Sequence, residues 1–141
     1  MSKNIRKSSS VLLDTHTWVW WVNGSKELSE KAQKYIDHAI EEKSVFLSTI
    51  SVWEVALLVD KGRLQLTMDV QDWIAQTEAL PFVHMISLDV AIAIKSVRLP
   101  GNFHKDPADR IIVATALRLG LPIITCDNKI QDYSYVKSIW D

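Results

Sequence analysis

Asp106-Pro107-Ala108-Asp109-Arg110-Ile111-Ile112-Val113-Ala114-Thr115-Ala116-Leu117-Arg118-Leu119-Gly120, continued by Leu121-Pro122-Ile123-Ile124-Thr125-Cys126-Asp127, is the stretch that decides the architecture. Asp106 offers an N-cap oxygen, and Pro107 suits the first helical position, where a missing N–H costs nothing. A helix is therefore expected over 107–119, and Gly120 ends it. Leu121 to Thr125 then reads as a short buried strand, with Asp127 and Asn128 as its exit turn. A helix feeding a buried apolar strand is the unit from which parallel sheets are built, because parallel neighbours need crossover connections.

Upstream, the same alternation recurs. Val11 to Leu13 is an apolar run ending at Asp14, as expected of a buried first strand. Leu28, Ala32, Tyr35, Ile36, Ala39 and Ile40 repeat with helical spacing behind Ser29, predicting a helix over 29–42. Val45 to Leu47 is a second strand, and Ser51 is expected to open a helix through Val52, Val55, Ala56 and Val59 that Gly62 closes. Further helices are expected over 69–79 and near 88–97, with a strand at Phe82 to Ile86 after Pro81. Leu99 to Lys105, with Pro100 and Gly101, reads as an exposed loop, and Val136 to Ile139 as a terminal strand. The class is α/β, three layers with a central parallel sheet flanked by helices on both faces.

The chain has 141 residues, 48% of them hydrophobic, which suffices for one well-packed core. A single domain over 10–141 is expected, preceded by a disordered basic tail over 1–9. A formal charge of -1 and a pI near 6.4 give no overall basic field, so a nucleic-acid partner would need a local cationic patch or a bound metal. Cys126 is the sole cysteine and has no internal partner, which fits a reducing compartment, and the cytoplasm is the expected location. Lys3, Arg6 and Lys7 imitate the start of a signal peptide, but Asp14 and His16 interrupt the apolar run that follows. No segment approaches the roughly 18 apolar residues of a membrane span.

Four acids, Asp14, Glu54, Asp109 and Asp127, each fall just past an apolar run or at the start of an expected helix. Each has an ordinary explanation. Asp14 suits an Asx turn, Glu54 a capping box with Ser51, Asp109 the positive end of its helix, and Asp127 a plain turn. Together they fall on the edge where strand carboxyl ends of a parallel sheet bind ligands. Carboxylates crowded there stay ionised only if a cation compensates them, and an all-oxygen set with room for water suits Mg²⁺ or Mn²⁺. Asp106 is an auxiliary candidate. Thr15 and Thr125 neighbour two of the acids and are placed to orient a carboxylate or water, or simply to bond locally. Lys105, Arg110 and Lys129 flank the acids as candidate phosphate contacts or as members of surface ion pairs. His16 and His104 read as solvated loop histidines, Cys126 as inert, and Trp18, Trp20, Trp21 and Trp53 as core or interface packing rather than base-stacking groups.

Leu12-Leu13-Asp14-Thr15-His16, Ser51-Val52-Trp53-Glu54-Val55-Ala56, the Asp106 to Ala116 segment and Thr125-Cys126-Asp127 occur in the order of the PIN-domain blocks, and the chain resembles the VapC-type toxins of that family over roughly residues 10 to 140. The resemblance implies a metal-dependent endoribonuclease in which Asp14, Glu54, Asp109 and Asp127 hold Mg²⁺ or Mn²⁺. It also implies an RNA substrate, a cognate antitoxin that silences the enzyme, and a homodimer. Two other readings compete. A PIN-like module kept only for protein association would have no need of four mutually repelling acids. A haloacid-dehalogenase-like phosphatase needs a second aspartate two residues after the first, where this chain has His16.

Overall fold

The computed structural model describes residues 9–141. The expected disordered tail therefore lies outside the described residues, apart from Ser9. Five strands, β1 (Val11–Leu13), β2 (Val45–Ser48), β3 (Val83–Ile86), β4 (Ile123–Ile124) and β5 (Ser138–Ile139), form one sheet in the order β3-β2-β1-β4-β5. All four pairings are parallel. Seven helices accompany them among the described residues: α1 (Thr15–Val22), α2 (Glu30–Glu41), α3 (Thr49–Asp60), α4 (Val70–Glu78), α5 (Val90–Val97), α6 (Pro107–Leu119) and α7 (Asn128–Gln131). None is long and apolar enough to cross a membrane.

Strand periodicity divides the core in two. Val11, Leu13, Val45, Leu47 and Ile124 point to a cluster with Trp18, Ile36 and Trp73, while Leu12 and Ile123 point to one with Ile92, Ile112 and Val113. Successive side chains of a strand face opposite ways, so apolar runs buried on both faces require helices above and below. That gives the three expected layers. Leu12 is fully buried, and truncating such a side chain to alanine costs roughly 2–5 kcal/mol.

The order of strands reverses direction at β1, which pairs with β2 on one side and β4 on the other. A crevice opens at such a switch point, outside the strands' carboxyl ends. Asp14 follows β1 directly, and Asp127 is the third residue after β4.

Three local details differ from expectation. The Trp-rich segment after Asp14 is a helix, α1, whose N-cap is Asp14 itself. Helix α3 starts at Thr49 behind an N-cap at Ser48, three residues before Ser51, so Ser51 and Glu54 form no capping box. Serine offers the same cap at either position, and β2 running through Ser48 decides between them. Finally, Asp127 caps the short helix α7 rather than a bare turn. Helix α6 matches its expected bounds, and Gly120 closes it at φ 69°, a left-handed conformation that glycine adopts at little cost.

Candidate active site

Asp14 is buried, and both of its oxygens are engaged. Thr17 N–H donates to Oδ1 at 3.0 Å and the Thr125 hydroxyl donates to Oδ2. Burial pushes its pKa up, against the lowering effect of the bonds from Thr125 and Thr17 and of nearby His16. Thr17 also donates its hydroxyl to Ile124 O at 2.8 Å, which ties α1 to β4 beneath the carboxylate. Thr125 accepts from Asp127 N–H at 3.0 Å, so one buried hydroxyl joins the two strand-end acids.

Glu54 stands in the second turn of α3. Thr15 Oγ1 lies 2.5 Å from Glu54 Oε1 and 2.8 Å from Ser51 Oγ. A hydroxyl has one proton, so Thr15 donates to the carboxylate and accepts from Ser51. Burial raises the Glu54 pKa, the Thr15 bond lowers it, and the charge of Asp106 raises it again.

Asp109, in the first turn of α6, has its N–H bonded to Asp106 Oδ2 at 3.0 Å. Burial, and then repulsion from Asp106, Asp127, Glu54 and Asp14, push its pKa up to about 7. His104 Nε2 stands 3.1 Å from Asp109 Oδ2, within ion-pair range though without hydrogen-bond alignment.

These groups surround one open cleft of about 320 Å³, to which Asp14, Thr15, Glu54, Asp106, Asp109 and Asp127 all contribute. Lys129 lines it too, as do His16 and His104, which sequence reasoning set aside. No residue spacing marks either histidine. His16 arrives because Asp14 caps a helix, and His104 because its loop folds back on α6.

Arg110 and Lys105 do not reach the cleft and line a neighbouring hollow instead. The Arg110 guanidinium is turned onto backbone carbonyls, with Nε on Ser96 O at 2.7 Å and Nη1 on Phe103 O and His104 O at 2.9 and 3.1 Å. It clasps the loop carrying His104, and its donors are committed there rather than to a phosphate. Thr125 is completely buried beneath the acids, where its hydroxyl is bonded to Asp14 and to the Asp127 amide. Cys126 borders the cleft, where burial and the charge of Asp14 push its thiol up and disfavour a reactive thiolate. Trp18 is core, whereas Trp53 is 55% exposed.

Among the described residues no three acids, histidines or cysteines are drawn together tightly enough to cage an ion. The donors nonetheless fit a hydrated hard cation. They are carboxylate oxygens around an open cleft with room for several waters, and Mg²⁺ characteristically takes one or two carboxylates while keeping several waters. Burial first, and then the neighbouring acids, make ionisation of Asp109 costly, a cost that positive charge between the carboxylates would offset.

Known proteins share this fold. The PIN domain family profile matches residues 11–134. Ribonuclease VapC22 of Mycobacterium tuberculosis is 33% identical over 131 residues, spanning 93% of this chain and 97% of its own length. Among solved structures, a toxin-antitoxin complex from Klebsiella pneumoniae superposes with a TM-score of 0.61 at 25% identity, covering 90% of this chain and 95% of that one. VapBC2 from Rickettsia felis, bound to a DNA fragment from its promoter, reaches a TM-score of 0.69 at 14% identity over 93% and 98% of the two chains, a likeness of fold. With the profile spanning nearly the whole described chain and the acids gathered at the switch point of its sheet, the protein belongs to the PIN-domain family.

Proposed function

We propose that this chain is a metal-dependent endoribonuclease acting as the toxin of a toxin-antitoxin pair. The observation that carries the reading is the convergence of Asp14, Glu54, Asp109 and Asp127, from four separate elements, on one cleft where burial, reinforced by repulsion from the other acids, holds the Asp109 pKa near 7. The kinship to Ribonuclease VapC22 supplies the reaction class. Asp14 and Asp109 are the direct ligands of Mg²⁺ or Mn²⁺ in this reading, with Glu54 and Asp127 completing the oxygen set and Asp106 auxiliary. A cation held there would lower the pKa of bound water and offset the charge of the scissile phosphate.

The chain's own residues do the rest. Thr125 and Thr17 fix the Asp14 carboxylate, Thr15 fixes Glu54, and Asp106 holds the first turn of α6 through the Asp109 amide. Such supporting bonds set ligand orientation and typically matter 10–100-fold in metal affinity. Lys129, exposed at the rim, contacts the RNA backbone.

The reading includes a cytoplasmic setting, a cognate antitoxin and a homodimer. An exposed apolar stripe on α5, where Val90 and Val97 are each 76% exposed and Ile94 51%, supports protein association. The deciding experiment is RNA cleavage by purified protein with Mn²⁺, with Mg²⁺ and with chelator, alongside Asp14→Asn and Asp109→Asn. Loss of cleavage in chelator and in both variants, with folding intact by circular dichroism, is expected. Full activity of Asp14→Asn would remove the central assignment.

A further inference from the structure

The acidic cleft continues past Asp127. At Cys126, which lines both, it meets a second hollow of about 410 Å³ bounded by Asn128 and Gln131 of α7, Ser138 of β5, and Trp140. That volume falls within the roughly 300–1,000 Å³ of small-ligand sites. Its walls offer two amides and a hydroxyl beside one indole.

The indole belongs to a series of rings. The centroids of His16 and Trp20 are 5.8 Å apart, and those of Trp20 and Trp140 are 5.9 Å apart. His16 lines the acidic cleft and Trp140 the second hollow, so the three rings bridge the two. His16 is exposed, and both tryptophans are half-buried. The far end is held in place. Ser29 donates its hydroxyl to Trp140 O at 2.5 Å, and the Gln131 amide donates to Thr125 O at 3.0 Å.

No lysine or arginine lines the second hollow, whereas Asp141 does, so it is not built to receive a phosphate. A neutral heteroaromatic ring suits it. Ring faces stack on any base, and side-chain amides and hydroxyls read base edges, which is how unpaired RNA is recognised.

We propose that this hollow, reached from the acidic cleft along His16, Trp20 and Trp140, is a nucleobase site that seats an unpaired RNA base flanking the scissile phosphate. The inference rests on the endoribonuclease reading above. It assigns Trp140 and Asn128 to substrate selection and leaves the acids to chemistry.

Abasic scanning tests it. A single-stranded RNA octamer is chosen from those the wild-type chain cuts with Mn²⁺, then remade with one base removed at each position in turn. Binding of each to the full chain carrying Asp109→Asn is measured by anisotropy. One or two positions should lose about tenfold in affinity when the base is absent. Adding Trp140→Leu, or separately Asn128→Ala, should abolish that positional penalty. Asn128 is exposed, so its variant keeps the test decisive if Trp140→Leu folds poorly. A flat abasic profile, or a penalty that survives both variants, overturns the site while cleavage by the wild type leaves the nuclease reading standing. If no RNA octamer is cut or bound, both fall together.

Discussion

Thr15 on α1 and Glu54 on α3 meet hydroxyl to carboxylate, with Thr15 Oγ1 2.5 Å from Glu54 Oε1. The bond crosses between two helices and sets the carboxylate's direction from behind, where Ser51 completes the hydroxyl's own bonding. Replacing Thr15 by Val keeps the shape and removes the donor. A stability loss of about 1–3 kcal/mol is expected in urea unfolding at neutral pH, since a half-buried carboxylate loses its partner. RNA cleavage should fall with it, and Thr15→Ser should restore both. Wild-type activity in Thr15→Val would show that Glu54 needs no alignment.

Thr125 makes a sharper case, because its hydroxyl serves Asp14 and the Asp127 amide at once and is completely buried. Thr125→Val strips a charge-assisted bond from a buried carboxylate. Destabilisation of about 1–3 kcal/mol follows. Titration calorimetry with Mn²⁺ should show roughly 10–100-fold weaker uptake, the usual effect of losing a bond that orients a ligand. Unchanged uptake would place Asp14 outside the metal's coordination.

Much of this was legible in the chain because Leu12, Leu13, Ile123 and Ile124 read as strands buried on both faces, and α6 carries its cap, its Pro107 and its closing Gly120 in plain order. Helix α1 was less legible. Thr15 to Val22 holds Trp18, Val19, Trp20, Trp21 and Val22 with scarcely a polar face, so no amphipathic period marks it as a helix. Thr15 reads from the sequence as placed to orient a carboxylate, but that its partner is Glu54 was obscured by the ambiguity that made Ser51 and Glu54 look like a capping box. His104 and Arg110 lay beyond sequence altogether. Their placement depends on a loop closing through Arg110 bonds to Ser96, Phe103 and His104 carbonyls, contacts that side-chain spacing does not encode.

Asp109 gives a pH signature. Its folded pKa lies at about 7, above the ordinary 3.8 it would have in the unfolded chain. Between those values the folded protein holds a proton that the unfolded chain has released. Stability therefore falls as pH rises from about 4 to about 7, and the loss is complete above the folded pKa. Asp14 and Glu54, also raised, act in the same direction. In metal-free protein, Asp109→Asn should raise Tm by several degrees at pH 8 and change it little at pH 4. A divalent cation should stabilise the wild type more at pH 8 than at pH 5. A melting profile that is flat or rises from pH 5 to 8 without metal would mean that burial and repulsion do not keep Asp109 protonated in the folded protein.

Two cations near the site should behave oppositely, which separates scaffold from substrate contact. Lys129 is exposed at the cleft rim, whereas Arg110 spends its guanidinium on the loop between α5 and α6. Lys129→Ala should leave Tm nearly unchanged, weaken RNA binding evenly across sequences, and lower the slope of log affinity against log salt by about one. Arg110→Met keeps the apolar stem but strands several half-buried carbonyls. It should cost about 2–3 kcal/mol. The damage should appear as faster amide exchange over residues 97–104, where Gly101 at φ 65° packs against Tyr135 and the Tyr133 hydroxyl holds Pro100 O. The salt slope should stay where it was. If instead Arg110→Met flattens the salt dependence while the loop remains protected from exchange, then Arg110 reaches the phosphate backbone in the complex and the loop closes by other means.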